Sequence, residues 1–393
     1  MPGADVPQEQ KAGWASFIKS LAQMTGDLSS MTAPPFILSP TSLTEFPAYW
    51  CEHPDDFAAI SAGANEQDRM ERVLRWFIGT LSAQYTTRNE KMGSEKKPLN
   101  PVLGELFYGV WPDANGRGET RLIVEQVSHH PPIGSMKSNG TSIYSYIENK
   151  TAGVRLQGHS GQKTSFTGTA INVKQSGHAV LTVQPKNGQK EEKYLITLPK
   201  LRIEGIVWGS PYIELTDTNA IQSSSGLTAQ IDYKGKGYFT GKTHSFKANI
   251  TNSSGKSIQT YEGQWTGKSH IGGSKGPIFL DTTTHREEVN VKDVSQQSEW
   301  ESRKLWVNVA KGIRTGNYDQ AGRDKTAIEN DQRQRRKDET ANNTTWQYLH
   351  FTHVDSDSDY QFLSALLHDK LTPPHEDAYV FRPETEGVVG RSN

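Results

Sequence analysis

The segment Glu125-Gln126-Val127-Ser128-His129-His130-Pro131-Pro132 concentrates more potential chemistry than any other stretch of the chain. Two adjacent imidazoles offer hydrogen-bond donors and acceptors, charge near neutral pH, or metal ligands. The prolines fix the backbone and remove N–H donors, so they end the strand that precedes them. Adjacent side chains on extended backbone point to opposite faces, so a bend is needed to bring both rings to one ligand. By residue type alone the pair fits a hydrogen-bonded structural histidine or a weak metal site, yet no third metal ligand stands at a telling spacing. A second row, Lys325, Glu329 and Arg333, has four-residue spacing and falls on one helix face. Taken alone, such a row marks a solvated face.

Three patterns imitate enzyme motifs. Gly272-Gly273-Ser274-Lys275-Gly276 has the spacing of a nucleophile elbow, but it lies in a Gly/Ser/Lys stretch followed by Pro277, not between an apolar strand and a helix. Gly237-Tyr-Phe-Thr-Gly241-Lys-Thr243 and Gly263-Gln-Trp-Thr-Gly267-Lys-Ser269 imitate phosphate-binding loops. Each has three residues between its glycines where four are needed, and each sits among strand-like runs. The chain therefore reads as non-enzymatic and free of cofactors. A lipid hydrolase using His130 and a serine lacks both an elbow and a placed acid.

The elements that must position these residues follow from hydrophobic periodicity. Trp14, Phe17, Ile18, Leu21 and Ala22 form the apolar stripe of a short helix ending before Gly26. At about eleven residues it is too short to stand alone in water, so it must dock on an apolar surface. Pro34, Pro35, Pro40 and Pro47 mark an extended linker, and residues 66–83 predict a helix. Between about 104 and 266, short Val/Ile/Tyr/Phe/Thr runs alternate with Gly, Asn and Ser turns. The runs are 121–127, 143–147, 153–157, 179–183, 193–198, 202–208, 228–233, 237–240, 245–250 and 258–265. Such spacing without intervening helices predicts an antiparallel meander, hence a sandwich or barrel. Closing a barrel removes edges and, with enough strands, leaves an interior cavity. Helical patterns return near 298–312 and 318–340, and 352–393 is polar without clear pattern.

Composition narrows the function classes. The 393 residues carry a formal net charge of −1, which argues against nucleic-acid binding. Mean hydropathy is −0.68, but 9 Trp, 14 Tyr and 13 Phe supply a core. Cys51 stands alone and can form neither an internal disulfide nor a thiolate metal site, which points to a reducing compartment. No signal peptide and no run of about 18 apolar residues is visible. The expectation is a soluble, cytosolic protein in which the sequons at Asn139 and Asn252 stay unmodified.

Four motifs in order then carry a resemblance. The segment 125–132 resembles the signature of the oxysterol-binding-protein-related family. Lys96-Lys97-Pro98-Leu99-Asn100-Pro101-Val102-Leu103-Gly104-Glu105 resembles its second hallmark. Ala33-Pro34-Pro35-Phe36-Ile37-Leu38-Ser39-Pro40 and Lys325-x-x-x-Glu329-x-x-x-Arg333 also fit. The likeness spans roughly Trp14 to Trp346 and is greatest to the short fungal type without accessory domains. It implies an α+β fold: a many-stranded antiparallel β-barrel around an apolar tunnel, an N-terminal amphipathic lid helix, and C-terminal helices packed outside. The expected organisation is a lid segment at 1–32, a lipid-binding barrel with flanking helices at 33–355, and a polar tail at 356–393.

The resemblance also implies a function, the transfer of a sterol and phosphatidylinositol 4-phosphate, held one at a time in a shared tunnel and exchanged between membranes. A phosphorylated inositol needs charge-assisted donors. By motif these are Lys97, His129, His130, Lys325 and Arg333, with Asn100, backbone N–H groups near Leu99, and Glu329 between the cations. Trp14, Gln84, Tyr85 and Gln175 match positions around a sterol hydroxyl. Ser160 stands where relatives commonly carry a longer Asn. Phe17, Leu28 and Met31 match apolar lid positions. The implied partners are these lipids and, transiently, the surfaces of organelle membranes, endoplasmic reticulum and Golgi among them, with the protein a monomer. Exchange for another lipid such as phosphatidylserine, or lipid sensing by a scaffold, uses the same residues.

Overall fold

The computed structural model describes residues 8, 11–23, 28, 35–86, 96–128, 142–235, 242–344, 346–367, 370–373, 378–385 and 387–388. The elements in chain order begin with α1 (Lys11–Gln23), β1 (Leu38–Ser42), α2 (Pro54–Ala59), α3 (Glu66–Tyr85) and β2 (Lys97–Leu99). The main sheet follows: β3 (Leu106–Trp111), β4 (Thr120–Ser128), β5 (Ser142–Asn149), β6 (Val154–Phe166), β7 (Ile171–Val183), β8 (Glu192–Thr197) and β9 (Lys200–Glu204). It continues with β10 (Tyr212–Thr216), β11 (Thr218–Ser223), β12 (Thr228–Lys234), β13 (Ser245–Thr251), β14 (Ser257–Gln264), β15 (Lys268–Ile271) and β16 (Ile278–Asp281). The chain closes with α4 (Ser302–Leu305), α5 (Val307–Arg314), α6 (Tyr318–Asn342), β17 (Phe351–Val354), α7 (Ser358–Ser364) and β18 (Ala378–Phe381).

Strands β3 to β16 form one 14-stranded sheet. Every pairing in it is antiparallel. The sheet forks at β7, because residues 178–183 pair with β8 while residues 171–173 pair with β9. Among the described residues the outer strands β3 and β16 are not hydrogen-bonded to each other, so the barrel is not closed by its own ladder.

Helix α3 packs into the curve of the sheet. Asn65 caps it by accepting from the N–H of Asp68, and Glu66 and Asp68 favour the positive end of its dipole. Met70, Val73, Leu74, Phe77, Ile78 and Leu81 recur at helical spacing, are all almost completely buried, and share one core with residues from β3 to β16. The same helix buries a cation, Arg69, whose charge is met by Glu192 at the start of β8.

A second apolar cluster, Ile37, Leu38, Leu99, Val102, Trp306, Val309, Ile313 and Ala321, seats Trp14 and Phe17 of α1. Glu105 braces this region: its buried carboxylate accepts from Thr44 Oγ1 at 2.6 Å, the Val102 N–H at 3.0 Å and Trp306 Nε1 at 3.0 Å.

Three sequence expectations need correction. The run 202–208 is not one strand: β9 ends at Glu204, and Gly205 (φ 72°) and Gly209 (φ 71°) enclose a turn. The pattern near 298–312 is two short helices, α4 and α5, that meet at Trp306. The region from 356 carries α7, and β18 pairs with β17, which precedes that boundary. Tyr360, Leu363 and Leu367 cover Val180, Leu195 and Ala220 on the sheet, and Phe351 and Phe381 cover Ile123, Val127 and Tyr144. The strand expected at 237–240 lies outside the described residues.

Candidate functional site

A cavity of about 660 Å³ lies beneath α1, bounded by α3, the sheet and α6. Ligand pockets commonly fall in the range of about 300–1,000 Å³. Its walls are largely aliphatic and aromatic, with Phe46, Trp50, Leu156, Ile171, Val173, Leu201, Ile203 and Ile213 among them. Of the residues singled out by sequence, Trp14, Phe17, Leu28, Gln84, Tyr85, Lys97, Asn100, Ser160, Gln175, Glu329 and Arg333 line this one cavity. Elements distant in sequence are thus brought together: α1, α3, β2, β6, β7 and α6.

Leu99 and Lys325 do not line it. The Leu99 side chain is buried in the second apolar cluster, and strand β2 is held there by parallel pairing with β1. Lys325 pairs with Glu329, whose second oxygen is 3.8 Å from Arg333 Nη2. Met31, His129 and His130 lie outside the described residues.

Two groups of polar side chains stand in the cavity wall. The first is cationic. Burial pushes the Lys97 ammonium below its ordinary pKa, nearby Lys325 adds to this, and Glu329 opposes it. Lys96 is also lowered by burial, and its Nζ donates to the Phe36 carbonyl at 2.9 Å. Arg336 is half-buried and likewise lowered by burial, with Glu339 opposing and Arg333 reinforcing the shift. Burial strips water from these cations, so an anion arriving beside them can be bound with charge-assisted hydrogen bonds.

The second group is neutral. Gln175 Nε2 donates to Tyr85 Oη at 3.0 Å and to the Pro199 carbonyl at 2.7 Å, and Gln84 Nε2 donates to Thr80 Oγ1 at 3.1 Å. These groups hold one another in place inside an apolar chamber and suit a ligand with a single hydroxyl. Ser160 on β6 sits opposite Ile143 of β5 and Gly177 of β7.

Helix α1 closes the chamber. Trp14 Nε1 donates to the Ile206 carbonyl at 2.9 Å, which latches the helix to the turn between β9 and β10. Gly13 lets the helix lie close to Phe36, since a Cβ there would come within 2.9 Å of that ring. Leu28, beyond the helix, is buried against the cavity.

Sequence reasoning missed Lys96, Gln332 and Arg336, all of which line the cavity. Gln332 and Arg336 follow Glu329 by three and seven residues, so the helical face already drawn through Glu329 and Arg333 contains them. The acids of the two hallmark motifs have structural work: besides Glu105, buried Glu125 accepts from the N–H groups of Leu349 and His350, both at 2.8 Å.

Two of the three imitated enzyme motifs resolve into turns, and the third, 237–243, falls mostly outside the described residues. The stretch 272–276 joins β15 to β16, and 263–269 spans the turn from β14 to β15. Among the described residues no cluster of three or more His, Cys, Asp or Glu could hold a metal ion, and no helix is long and apolar enough to cross a membrane.

The family model described as "Oxysterol-binding protein" matches residues 16–312. The chain belongs to the oxysterol-binding protein family. It is 54% identical over 386 residues to Protein KES1 of Mycosarcoma maydis, covering 97% of this chain and 98% of that protein. It is 45% identical over 360 residues to Protein kes1 of Schizosaccharomyces pombe, covering 89% of each. The fold is shared with the Osh1 ORD domain crystallised in complex with cholesterol, at TM-score 0.70 and 21% identity over 98% of this chain and 89% of that one. It is also shared with the Saccharomyces cerevisiae Osh3 ORD crystallised in complex with PI(4)P, at TM-score 0.66 and 20% identity over 90% of each chain.

Proposed function

We propose that this protein carries single lipid molecules between membranes, and that a sterol and phosphatidylinositol 4-phosphate occupy its cavity in turn. The observation that carries this reading is the pairing of two polar groups in one apolar chamber under one lid. The partly buried cations around Lys97 suit a phosphorylated headgroup, and the neutral Gln84, Tyr85 and Gln175 group suits a lone hydroxyl. The solved structures with cholesterol and with PI(4)P, both of this fold, support the same pair of ligands. In this reading the apolar parts of both lipids use the same chamber, so one leaves before the other enters. A tenfold gradient of the phosphoinositide then supplies about 1.4 kcal/mol to move sterol the other way, with no nucleotide required. The protein acts as a monomer in the cytoplasm and meets organelle membranes, endoplasmic reticulum and Golgi among them, transiently.

His129 and His130 complete the headgroup donors in this reading, with Lys97, Asn100, Lys325 and Arg333, while Glu329 holds the cations and accepts from an inositol hydroxyl. The test is the double variant His129→Ala with His130→Ala. Loss of two charge-assisted bonds, each worth about 1.5–3 kcal/mol, lowers phosphoinositide affinity at least a hundredfold and leaves sterol uptake largely intact. Equal loss of both ligands in a folded variant contradicts separate polar groups. Transfer between two liposome populations separates a carrier from a sensor.

A further inference from the structure

Trp208 is 87% exposed and its neighbour Val207 is 44% exposed, both in the turn between β9 and β10. An indole presented this fully to water is unfavourable unless something receives it. The turn is built to present it. Gly205 and Gly209 take positive φ, and a Cβ on Gly205 would meet the Ser210 carbonyl at 2.1 Å. The Trp208 and Ser210 N–H groups both donate to the Gly205 carbonyl at 3.1 Å, and the Gly209 N–H donates to the Ile206 carbonyl at 3.1 Å. Ile206, 2% exposed, turns inward and lines the cavity, as does Pro211. The Ile206 carbonyl also receives the lid's Trp14. One short turn therefore has an inner side on the cavity, a lid latch on its backbone, and an outward apolar tip.

We propose that Val207 and Trp208 insert into the interfacial layer of a phospholipid bilayer and seat the seam between lid and sheet on the membrane. The proposal rests on the lipid-carrier reading, because a carrier must open that seam against a bilayer. Two properties of the tip favour a bilayer over a protein. A single Trp with one Val is far below the roughly 800 Å² per partner that a stable protein interface buries. An indole has an apolar body and one N–H donor, and this combination concentrates at membrane–water interfaces. The rigid turn also spares the ordering cost that a flexible loop would meet on insertion.

The test uses the full chain with phosphatidylcholine vesicles, with and without lipids brominated on their acyl chains. Partition is followed by flotation, and insertion by quenching of tryptophan fluorescence. Trp208→Ala is expected to weaken partition about tenfold, with Trp208→Phe intermediate, and both substitutions are expected to abolish the part of the quenching that Trp208 contributes. Uptake of a fluorescent sterol from cyclodextrin, which needs no bilayer, is expected to match the wild type. Equal partition and equal quenching in wild type and Trp208→Ala would overturn the proposal. So would self-association of the wild type without vesicles that the substitution removes, since the tip would then serve a second copy. Failure of the wild type to take up sterol from cyclodextrin would count against the carrier reading, while the quenching comparison would still decide the docking tip.

Discussion

Helix α1 and the C-terminal elements both cover the barrel, but they are attached in different ways. Of the 13 residues of α1, Leu21 alone is buried. Among the described residues one hydrogen bond, from Trp14 to Ile206, ties the helix to the turn between β9 and β10. The C-terminal cover buries Phe351, Tyr360, Leu363, Leu367 and Phe381. It is also pinned by backbone bonds to Glu125, by the Phe381 N–H donating to Gln157 Oε1 at 2.9 Å, and by Lys193 with Asp359 at 2.7 Å. The first cover is held by far fewer buried contacts than the second. Local opening is drawn from elements with few buried contacts, so α1 is the cover expected to open over the cavity.

The largest effect is expected from cutting the C-terminal pins. Glu125→Leu leaves two N–H groups without acceptors and is expected to cost about 4 kcal/mol in a denaturant titration, at about 1–3 kcal/mol each. A shift under about 1 kcal/mol would show that the pins are idle. Leu363→Ala removes a fully buried side chain from the interface of α7 with the sheet and is expected to cost about 3 kcal/mol by the same measurement.

The opposite result is expected on the other side. Deleting residues 1–31 is expected to preserve a single cooperative melt while ligand release in stopped-flow becomes faster. A truncated protein without a cooperative transition would make α1 part of the core. The smallest effect belongs to Trp14→Phe, which keeps an aromatic ring and loses the latch. About 1 kcal/mol of hydrogen bond corresponds to roughly fivefold faster release, with no change in melting beyond that amount.

The two covers also differ in how readily the sequence reveals them. The stripe from Trp14 to Ala22 announces a docking helix. In the C-terminal region, Asp357 as a cap followed by Tyr360, Leu363 and Leu367 is a readable helix signal, but the helix is only seven residues long and embedded in polar sequence. Strands β6 and β7 run 13 residues each, well beyond the runs 153–157 and 179–183 that pattern recovers. Beyond those runs, Ser160, Gln162, Thr164 and Gln175 face the cavity beside the apolar Ile171 and Val173, so the alternation of apolar and polar residues fades where the site begins. The run 202–208 misleads for the converse reason. Val207 and Trp208 have strand-forming side chains, but the glycines at 205 and 209 bend the backbone into a turn and leave them in solvent. Motifs pointed to many of the residues that line the cavity, and the helical face through Glu329 and Arg333 also holds Arg336, whereas Lys96, though inside a hallmark motif, carried no signal of a place on the wall.

Mutual exclusion of the two lipids follows if one chamber serves both. The most direct measurement preloads the protein with a fluorescent sterol and titrates it with liposomes containing phosphatidylinositol 4-phosphate. Release of one sterol for each phosphoinositide bound is the predicted result. Retention of the sterol while the phosphoinositide binds at one-to-one stoichiometry would contradict the shared chamber, and exchange with it.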